Sequence, residues 1–261
     1  MDISVLEKDK QKGKLSFLVK GINATIANTI RRMIVEEVPT MAIEDVEFRE
    51  NSSALYDEII AHRLGLIPLS TDLKSYNLPA ECKCKGKGCA RCQLKMTLST
   101  KKSGMVYAGD IKTRDAKIKP VYPKMPIVKL LKGQKVELEA VAVLGQGKEH
   151  SKWTPGLVYY KAYPLIEISS KATGCEKAAK ACPVNVYDFK DGKLSLSNKN
   201  LLKCHLCKAC VDSCDGIKVV GSKTDFIFNI ESWGQLDPRD IIKEAADGLQ
   251  KKCGVFVKGL K

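Results

Sequence analysis

The residues best suited to chemistry are cysteines, and the clearest group lies in the segment 203–216, KCHLCKACVDSCDG. Its spacing is C-x2-C-x2-C-x3-C, formed by Cys204, Cys207, Cys210 and Cys214. Ferredoxin-like proteins hold iron–sulfur clusters with this run, in which the fourth cysteine usually ligates the other cluster and is normally followed by proline. The segment therefore predicts an iron–sulfur site.

Counting ligands by the same rule gives one complete site. Cys182 is followed by Pro183, as the fourth cysteine of a ferredoxin run is, so it is expected to be the fourth ligand of the cluster held by Cys204, Cys207 and Cys210. We predict one [4Fe–4S] cluster, or a [3Fe–4S] cluster if one iron is missing, on Cys182, Cys204, Cys207 and Cys210. Zinc on the same four cysteines is the alternative, and we expect His205 to be solvated rather than a ligand.

A second cluster would lack ligands, because positions 172 and 178 are alanine. Only Cys175 and Cys214 remain, and two thiolates cannot hold a cubane. These two cysteines are therefore expected to be free, as a vacant second site, or joined in a disulfide.

A separate group of cysteines, which we call the cysteine knuckle, lies in residues 82–92. Its members are Cys82, Cys84, Cys89 and Cys92. Four thiolates this close can close a tetrahedral zinc site, and Gly86 and Gly88 permit the tight backbone. We predict structural zinc here, with four chance free thiols as the alternative. Lysines and an arginine interleaved with the cysteines would offset the thiolate charge or face an acidic partner.

Composition restricts the class of protein without deciding it. The chain has 261 residues, 44% hydrophobic residues and a formal net charge of +14. We expect a cytoplasmic protein, because no stretch has the length and apolar character of a signal peptide or membrane span. The basic charge favours an acidic partner, such as nucleic acid or an assembly around it, or serves solubility alone.

The two ends of the chain predict similar elements. Alternating apolar residues in 14–20 indicate a strand, and a helix with one apolar face follows and ends before Pro39. A second helix is expected within 53–69, with Ser53 as its cap and Gly65 as its stop. Near the C-terminus, a strand at 225–232 precedes a helix that begins at Asp237. The apolar faces of the first and last helices contain Ile26, Ile30, Met33, Ile34, Ile241, Ala245 and Leu249.

Between these ends, the sequence predicts short strands and the two cysteine groups. In residues 136–144, five apolar side chains alternate and are expected to share one face. The sequence predicts an α+β fold with one sheet built from both chain ends. The expected domains are 1–48 and 222–261 for the terminal domain, 49–170 for a strand-rich insert, and 171–221 for a ferredoxin-like insertion.

No catalytic constellation is apparent. The chain has no D-x-D-type acidic group for Mg²⁺, no complete P-loop, no G-x-S-x-G motif, and only three isolated histidines. We therefore expect no catalytic residues in this chain.

Three further motifs carry a family likeness: NTIRRMIVEEVPTMAIEDVEF, ALYDEIIAHRLGLIPL and GKEHSKWTPG. Together they make the chain resemble the D subunits of archaeal DNA-directed RNA polymerase. These subunits are counterparts of the third-largest subunit of eukaryotic polymerase II and of the bacterial alpha amino-terminal domain. The resemblance covers nearly the whole chain, and many archaeal members carry a ferredoxin-like insertion.

The resemblance implies a non-catalytic assembly subunit of a nucleotidyltransferase complex. Its discontinuous dimerisation domain would bind an alpha-like L subunit, and the N subunit and the second-largest catalytic subunit would join, with DNA contacted only indirectly. Whether the apolar helix faces pack within the chain or against the partner stays open. The alternatives are a ferredoxin-like electron-transfer module and a nucleic-acid-binding protein with a zinc knuckle.

Overall fold

A computed structural model describes residues 1–170, 172 and 174–260. The expected domain boundary at residue 171 lies outside the described residues. Strands and helices are mixed, with strands predominating. In chain order the strands are β1 (Asp2–Asp9), β2 (Lys14–Lys20), β3 (Pro39–Asn51), β4 (Gln93–Thr100), β5 (Gly104–Tyr107), β6 (Lys112–Thr113), β7 (Pro126–Leu130), β8 (Val136–Gln146), β9 (Gly156–Ile168), β10 (Tyr187–Lys190), β11 (Lys193–Leu196) and β12 (Ile217–Ser232). The helices are α1 (Ala24–Glu37), α2 (Asp57–Gly65), α3 (Glu176–Ala181), α4 (Ala209–Asp212) and α5 (Pro238–Gly259).

The chain forms two compact units, and each combines early and late segments of the chain. The first unit comprises Met1–Lys8, Ser16–Asn28 and Tyr159–Asn229. The second comprises Asp9–Leu15, Thr29–Val158 and Ile230–Lys261.

A four-stranded sheet in the order β1-β2-β12-β9 brings early and late parts of the chain together. Phe17 on β2 stacks on Phe228 on β12 with ring centroids 5.2 Å apart, and both side chains are buried. Tyr160 on β9 meets Phe226 edge-on at 5.6 Å. These aromatic contacts between neighbouring strands bury the faces that the alternating pattern predicted.

The cysteine-rich part of the first unit has a small core of its own. It contains α3, α4 and the antiparallel pair β10–β11. Ala178, Val186, Tyr187, Ile217 and Val219 are buried there together with cysteine side chains. A core this small buries little apolar surface, so covalent or metal cross-links would contribute much of its stability.

The second unit is built on the sheet β3-β8-β4-β6. The five alternating positions of β8 are all buried, which confirms the predicted face: Val136, Leu138, Ala140, Ala142 and Leu144. Helix α2 contributes Ile60 and Leu64 to the same core. Successive side chains of a strand point to opposite faces of the sheet, so the alternation arises because one face of β8 packs on this core.

The predicted helix ends agree with the structure except at one cap. Helix α1 ends at Glu37, two residues before Pro39, and the Asp237 carboxylate caps α5 by accepting from the Arg239 N–H at 2.9 Å. The prediction that Ser53 caps α2 is wrong, since α2 begins at Asp57. The Ser53 hydroxyl instead donates to Asn51 Oδ1 at 2.7 Å within the preceding turn, because Ser side chains compete locally for backbone and turn groups.

The motif GKEHSKWTPG has a packing role. Trp153 is buried, and a Cβ at Gly145 would lie 2.3 Å from its ring, so only glycine fits beneath the indole. The Trp153 carbonyl accepts a 2.7 Å hydrogen bond from the buried Thr40 hydroxyl. These contacts fix the chain that leads into β9 against β3 and β8.

Candidate metal centres

The cysteine knuckle brings four sulfur atoms together. The Sγ atoms of Cys82, Cys84, Cys89 and Cys92 all lie within 4.8 Å of one another. The Sγ–Sγ distance is 3.5 Å for Cys84–Cys92, 3.6 Å for Cys82–Cys89 and 3.7 Å for Cys89–Cys92. Thiolates about 2.3 Å from a tetrahedral zinc ion are about 3.8 Å apart, so this geometry suits one ion of that size.

The backbone of the knuckle explains its glycines. Gly88 has a φ of +89°, and a Cβ there would lie 2.5 Å from the Gln93 side chain. Lys85 N–H donates to the Cys82 carbonyl at 2.8 Å, and Cys92 N–H donates to the Cys89 carbonyl at 2.9 Å. These two turns place all four sulfurs on the inside of one loop.

The knuckle thiols differ in acidity. The hydrogen bond from the Cys92 sulfur is the main cause that lowers the pKa of Cys84 to about 6. Burial raises the pKa of Cys92 to about 12. Thiols in contact compete for protons, and a bound cation would hold all four as thiolates. Several basic side chains around them are exposed, namely Lys83, Lys85, Lys87 and Arg91.

The second predicted set lies in the first unit, where its four cysteines line one cavity. Its four cysteines are Cys182, Cys204, Cys207 and Cys210. Apart from Cys207, they are buried, and the cavity wall also includes the apolar side chains of Val184, Val186 and Val219. Four thiols around an apolar cavity are a suitable donor set for a soft metal or an iron–sulfur cluster. His205 is exposed at the rim.

Local backbone geometry and one lysine position the loop that carries Cys204 and Cys207. Leu206 and Lys208 both adopt positive φ, at 62° and 64°, which turns the chain sharply on either side of Cys207. The Lys161 ammonium on β9 donates to the carbonyls of Leu202 at 2.6 Å and Cys204 at 2.9 Å. Burial lowers the pKa of Lys161. This lysine ties the cysteine loop to the sheet, and sequence reasoning missed it because β9 lies far away along the chain.

Tyr187 is a further residue of the cavity that the sequence alone does not single out. Its O–H donates to Cys210 Sγ at 3.1 Å. Burial, followed by the hydrogen bond to Cys210, raises the pKa of this phenol. In the residue before Tyr187, the Val186 N–H donates to Cys182 Sγ at 3.4 Å.

Cys175 and Cys214 are bonded to each other as a disulfide with a Cα–Cα distance of 5.9 Å. Cys175 lies at the start of α3 and Cys214 follows α4, so the bond joins α3, which ends just before Cys182, to α4, which carries Cys210. The two sulfurs are thus bonded rather than free.

Comparison with known proteins decides the family. A family model described as the RNA polymerase Rpb3/RpoA insert domain matches residues 42–156. DNA-directed RNA polymerase subunit Rpo3 of Methanosphaera stadtmanae is 42% identical over 97% of this chain and 96% of its own length. The Rpo3 subunit of Methanothermobacter thermautotrophicus is 41% identical over the same shares of both chains. That of Pyrococcus furiosus is 34% identical over 100% of this chain and 97% of its own.

The chain belongs to the Rpo3 family of DNA-directed RNA polymerase subunits. This confirms the family likeness drawn from the three motifs. Among the helices that the described residues form, none combines the length and the apolar character needed to cross a bilayer.

In this member of the Rpo3 family, the predicted apolar helix faces divide by burial. Met33, Ile34, Ile241 and Ala245 are buried within the chain. Ile30 and Leu249 are half-buried, and Ile26 is 45% exposed. The apolar faces of α1 and α5 are therefore buried in the chain's own core at one end of each helix and become more exposed toward the other end.

Helix α5 extends this division well beyond the predicted face. The same stripe continues at three- and four-residue steps through Cys253 and Phe256 to Leu260, the C-cap residue of the helix, and all three are exposed. Phe256 is 69% exposed and Leu260 is 72% exposed. The periodicity of the sequence could have revealed this extension, because 249, 253, 256 and 260 continue the spacing of 241, 245 and 249.

Proposed function

We propose that this chain is a non-catalytic assembly platform of DNA-directed RNA polymerase. In this role it binds an alpha-like L subunit as a heterodimer, and the N subunit and the second-largest catalytic subunit join that pair. DNA is contacted only within the assembled enzyme. The active site of the polymerase then belongs to other subunits.

The observation that carries this proposal is the apolar stripe of α5. One helix face is buried in the core at Ile241 and Ala245 and exposed at Phe256 and at the C-cap residue Leu260. The exposed part of this apolar face needs a second surface to cover it, because large exposed apolar patches mark interaction sites. An alpha-like subunit that presents a matching helix suits this surface.

The proposed dimerisation domain comprises residues 1–48 and 222–261. Its support is the adjacency of β2 and β12 in one sheet, since strands from opposite chain ends are then hydrogen-bonded neighbours. The proposed insert is 49–170, which overlaps most of the family match at 42–156. Residues 171–221 form the proposed ferredoxin-like insertion.

The proposed cofactors are structural. The sulfur separations of the cysteine knuckle favour one zinc ion on Cys82, Cys84, Cys89 and Cys92. The cavity and the ferredoxin spacing favour one iron–sulfur cluster, [4Fe–4S] or [3Fe–4S], on Cys182, Cys204, Cys207 and Cys210. Such a cluster would cross-link two chain segments and supply folding free energy. No observation favours the electron-transfer alternative.

Coexpression with an alpha-like polymerase subunit tests the proposal. Size-exclusion chromatography with light scattering should give the mass of a one-to-one complex. A monodisperse monomer that coelutes with no partner would refute the assembly role. Zinc, iron and sulfide analysis of the same anaerobic sample tests the cofactors independently of the assembly.

A further inference from the structure

Tyr187 has an unusual environment for a tyrosine hydroxyl. The residue lies at the start of β10, and only 5% of its surface is exposed. Its hydroxyl lies 3.1 Å from Cys210 Sγ and donates to it. The cavity wall around it contains Val184, Val186 and Val219. The phenol is therefore held in apolar surroundings with its polar end on a cysteine sulfur.

We propose that Tyr187 is a positioning residue for the iron–sulfur cluster, and that its O–H donates to the Cys210 thiolate and raises the reduction potential of that cluster. The inference rests on the proposed cofactor and adds a residue to it. It does not require the cluster to carry electrons in the cell.

The chemistry of the acceptor supports this assignment. A neutral thiol is a weak hydrogen-bond acceptor, and burial of a hydroxyl without a good partner costs free energy. Phenylalanine would fill the same apolar space without that cost. A metal-bound thiolate is charged, and hydrogen bonds to charged acceptors are roughly twice as strong as neutral ones. Tyrosine at this position is favourable when Cys210 is a thiolate ligand.

The direction of the effect follows from charge. Reduction adds an electron to the cluster and increases the negative charge on its sulfur ligands. A hydrogen bond to a ligand sulfur stabilises that more negative state, and such bonds are among the features that set cluster potentials.

The test compares wild-type protein with Y187F, which removes one oxygen atom and keeps the ring. Both full-length chains are purified anaerobically, analysed for iron and sulfide, and titrated with dithionite in redox mediators while the cluster is followed by EPR. Y159F is the matched control, because Tyr159 on β9 is 51% exposed and does not line the cavity. We expect Y187F to reduce the ratio of reduced to oxidised cluster about tenfold at a fixed potential, which is about 59 mV for one electron.

Each outcome decides the inference. A lower potential in Y187F with an unchanged potential in Y159F supports it, and equal potentials in all three proteins overturn it. If Y187F holds no cluster, deuterium ENDOR of the reduced wild-type cluster decides instead, recorded after brief exchange into D2O that replaces the Tyr187 hydroxyl proton but not the slower-exchanging amide proton of Val186, which donates to Cys182 Sγ. A strongly coupled exchangeable deuteron then supports the hydrogen bond, and its absence overturns it. If wild-type protein contains no iron or sulfide, the inference is overturned because it requires the cluster. The assembly role is tested separately, by heterodimer formation.

Discussion

The Glu37 carboxylate at the end of α1 accepts a hydrogen bond from the Lys252 ammonium on α5, 215 positions further along the chain. Lys148 makes a second ion pair with the same carboxylate at 3.4 Å. The Glu37 side chain is only 12% exposed. Inside the second unit, one carboxylate therefore ties the end of α1 to α5, the helix that carries the apolar stripe.

Replacement of Glu37 by glutamine tests these ion pairs, because their contribution to the free energy of unfolding depends on pH. Partial burial raises the pKa of Glu37, but the hydrogen bond and charge of Lys252 and the charge of Lys148 outweigh it and hold the pKa below its ordinary 4.5. The stabilisation is complete above the unfolded-state pKa and is lost as pH falls through the lower folded-state pKa. We expect E37Q to lower the free energy of unfolding by about 1 kcal/mol at pH 7 and much less at pH 3.

Urea unfolding at the two pH values measures this difference. E58Q is the control, because Glu58 is exposed on α2, and its curves should follow those of the wild type. An equal loss for E37Q at both pH values would show that charge is not the cause.

Loss of one knuckle thiol should release the metal. C92S removes a buried ligand, leaving three thiols and an open coordination position, which structural zinc sites avoid. Metal analysis should give about one zinc ion fewer per chain, and hydrogen exchange should increase in residues 82–92. C253S is the control, since Cys253 is an exposed free cysteine on α5. Full zinc content in C92S would contradict the assignment.

The disulfide should stabilise the protein less when the proposed cluster is present. Cys175 and Cys214 are 39 positions apart, and closure of a loop of that length is worth about 4 kcal/mol in the chain-entropy account. A cluster that joins Cys182 to Cys204 already closes most of that loop. We therefore expect the double substitution C175S/C214S to cost about 1 kcal/mol less in cluster-bound protein than in protein treated with a chelator.

Anaerobic urea unfolding of the two forms makes that comparison, with C253S as the cysteine control. Equal costs in both forms would mean that the cluster does not bridge these chain segments.

The tryptophan of GKEHSKWTPG should matter for stability more than the other tryptophan of the chain. Trp153 is buried over Gly145, so W153A leaves a large cavity and should lower the free energy of unfolding by about 3–5 kcal/mol. Trp233 is 42% exposed, and W233A should cost about 1 kcal/mol or less. Chemical unfolding of both variants gives the comparison, and similar losses would disprove the packing role of the motif.

Local patterns predicted the secondary structure well where one face of an element is buried. The alternation in β8 and the Asp237–Pro238 helix start are both set by neighbouring residues, so the sequence was sufficient for them. The cysteine spacings likewise identified the residues that the structure brings together in the knuckle.

Features that depend on distant parts of the chain were not predictable in this way. Lys161 reaches the carbonyl of Cys204 from β9, and Tyr187 reaches Cys210 from β10, yet neither pair has a signature in local spacing. Tertiary partners decided both of these cases. The Ser53 cap failed for a local reason, because the side chain of Asn51, two residues earlier, accepts a hydrogen bond from its hydroxyl.

The exposed end of α5 offers the most direct test of the assembly role. F256D places a charge on the proposed interface stripe, and the dissociation constant for the alpha-like subunit can be measured by titration calorimetry. L131D is the control, since Leu131 is 59% exposed in the turn after β7 and away from α5 in sequence. We predict that F256D weakens binding at least about 30-fold, as loss of an interface hot spot does, whereas L131D binds like the wild type. Wild-type affinity in F256D would contradict the claim that this helix face is the docking surface.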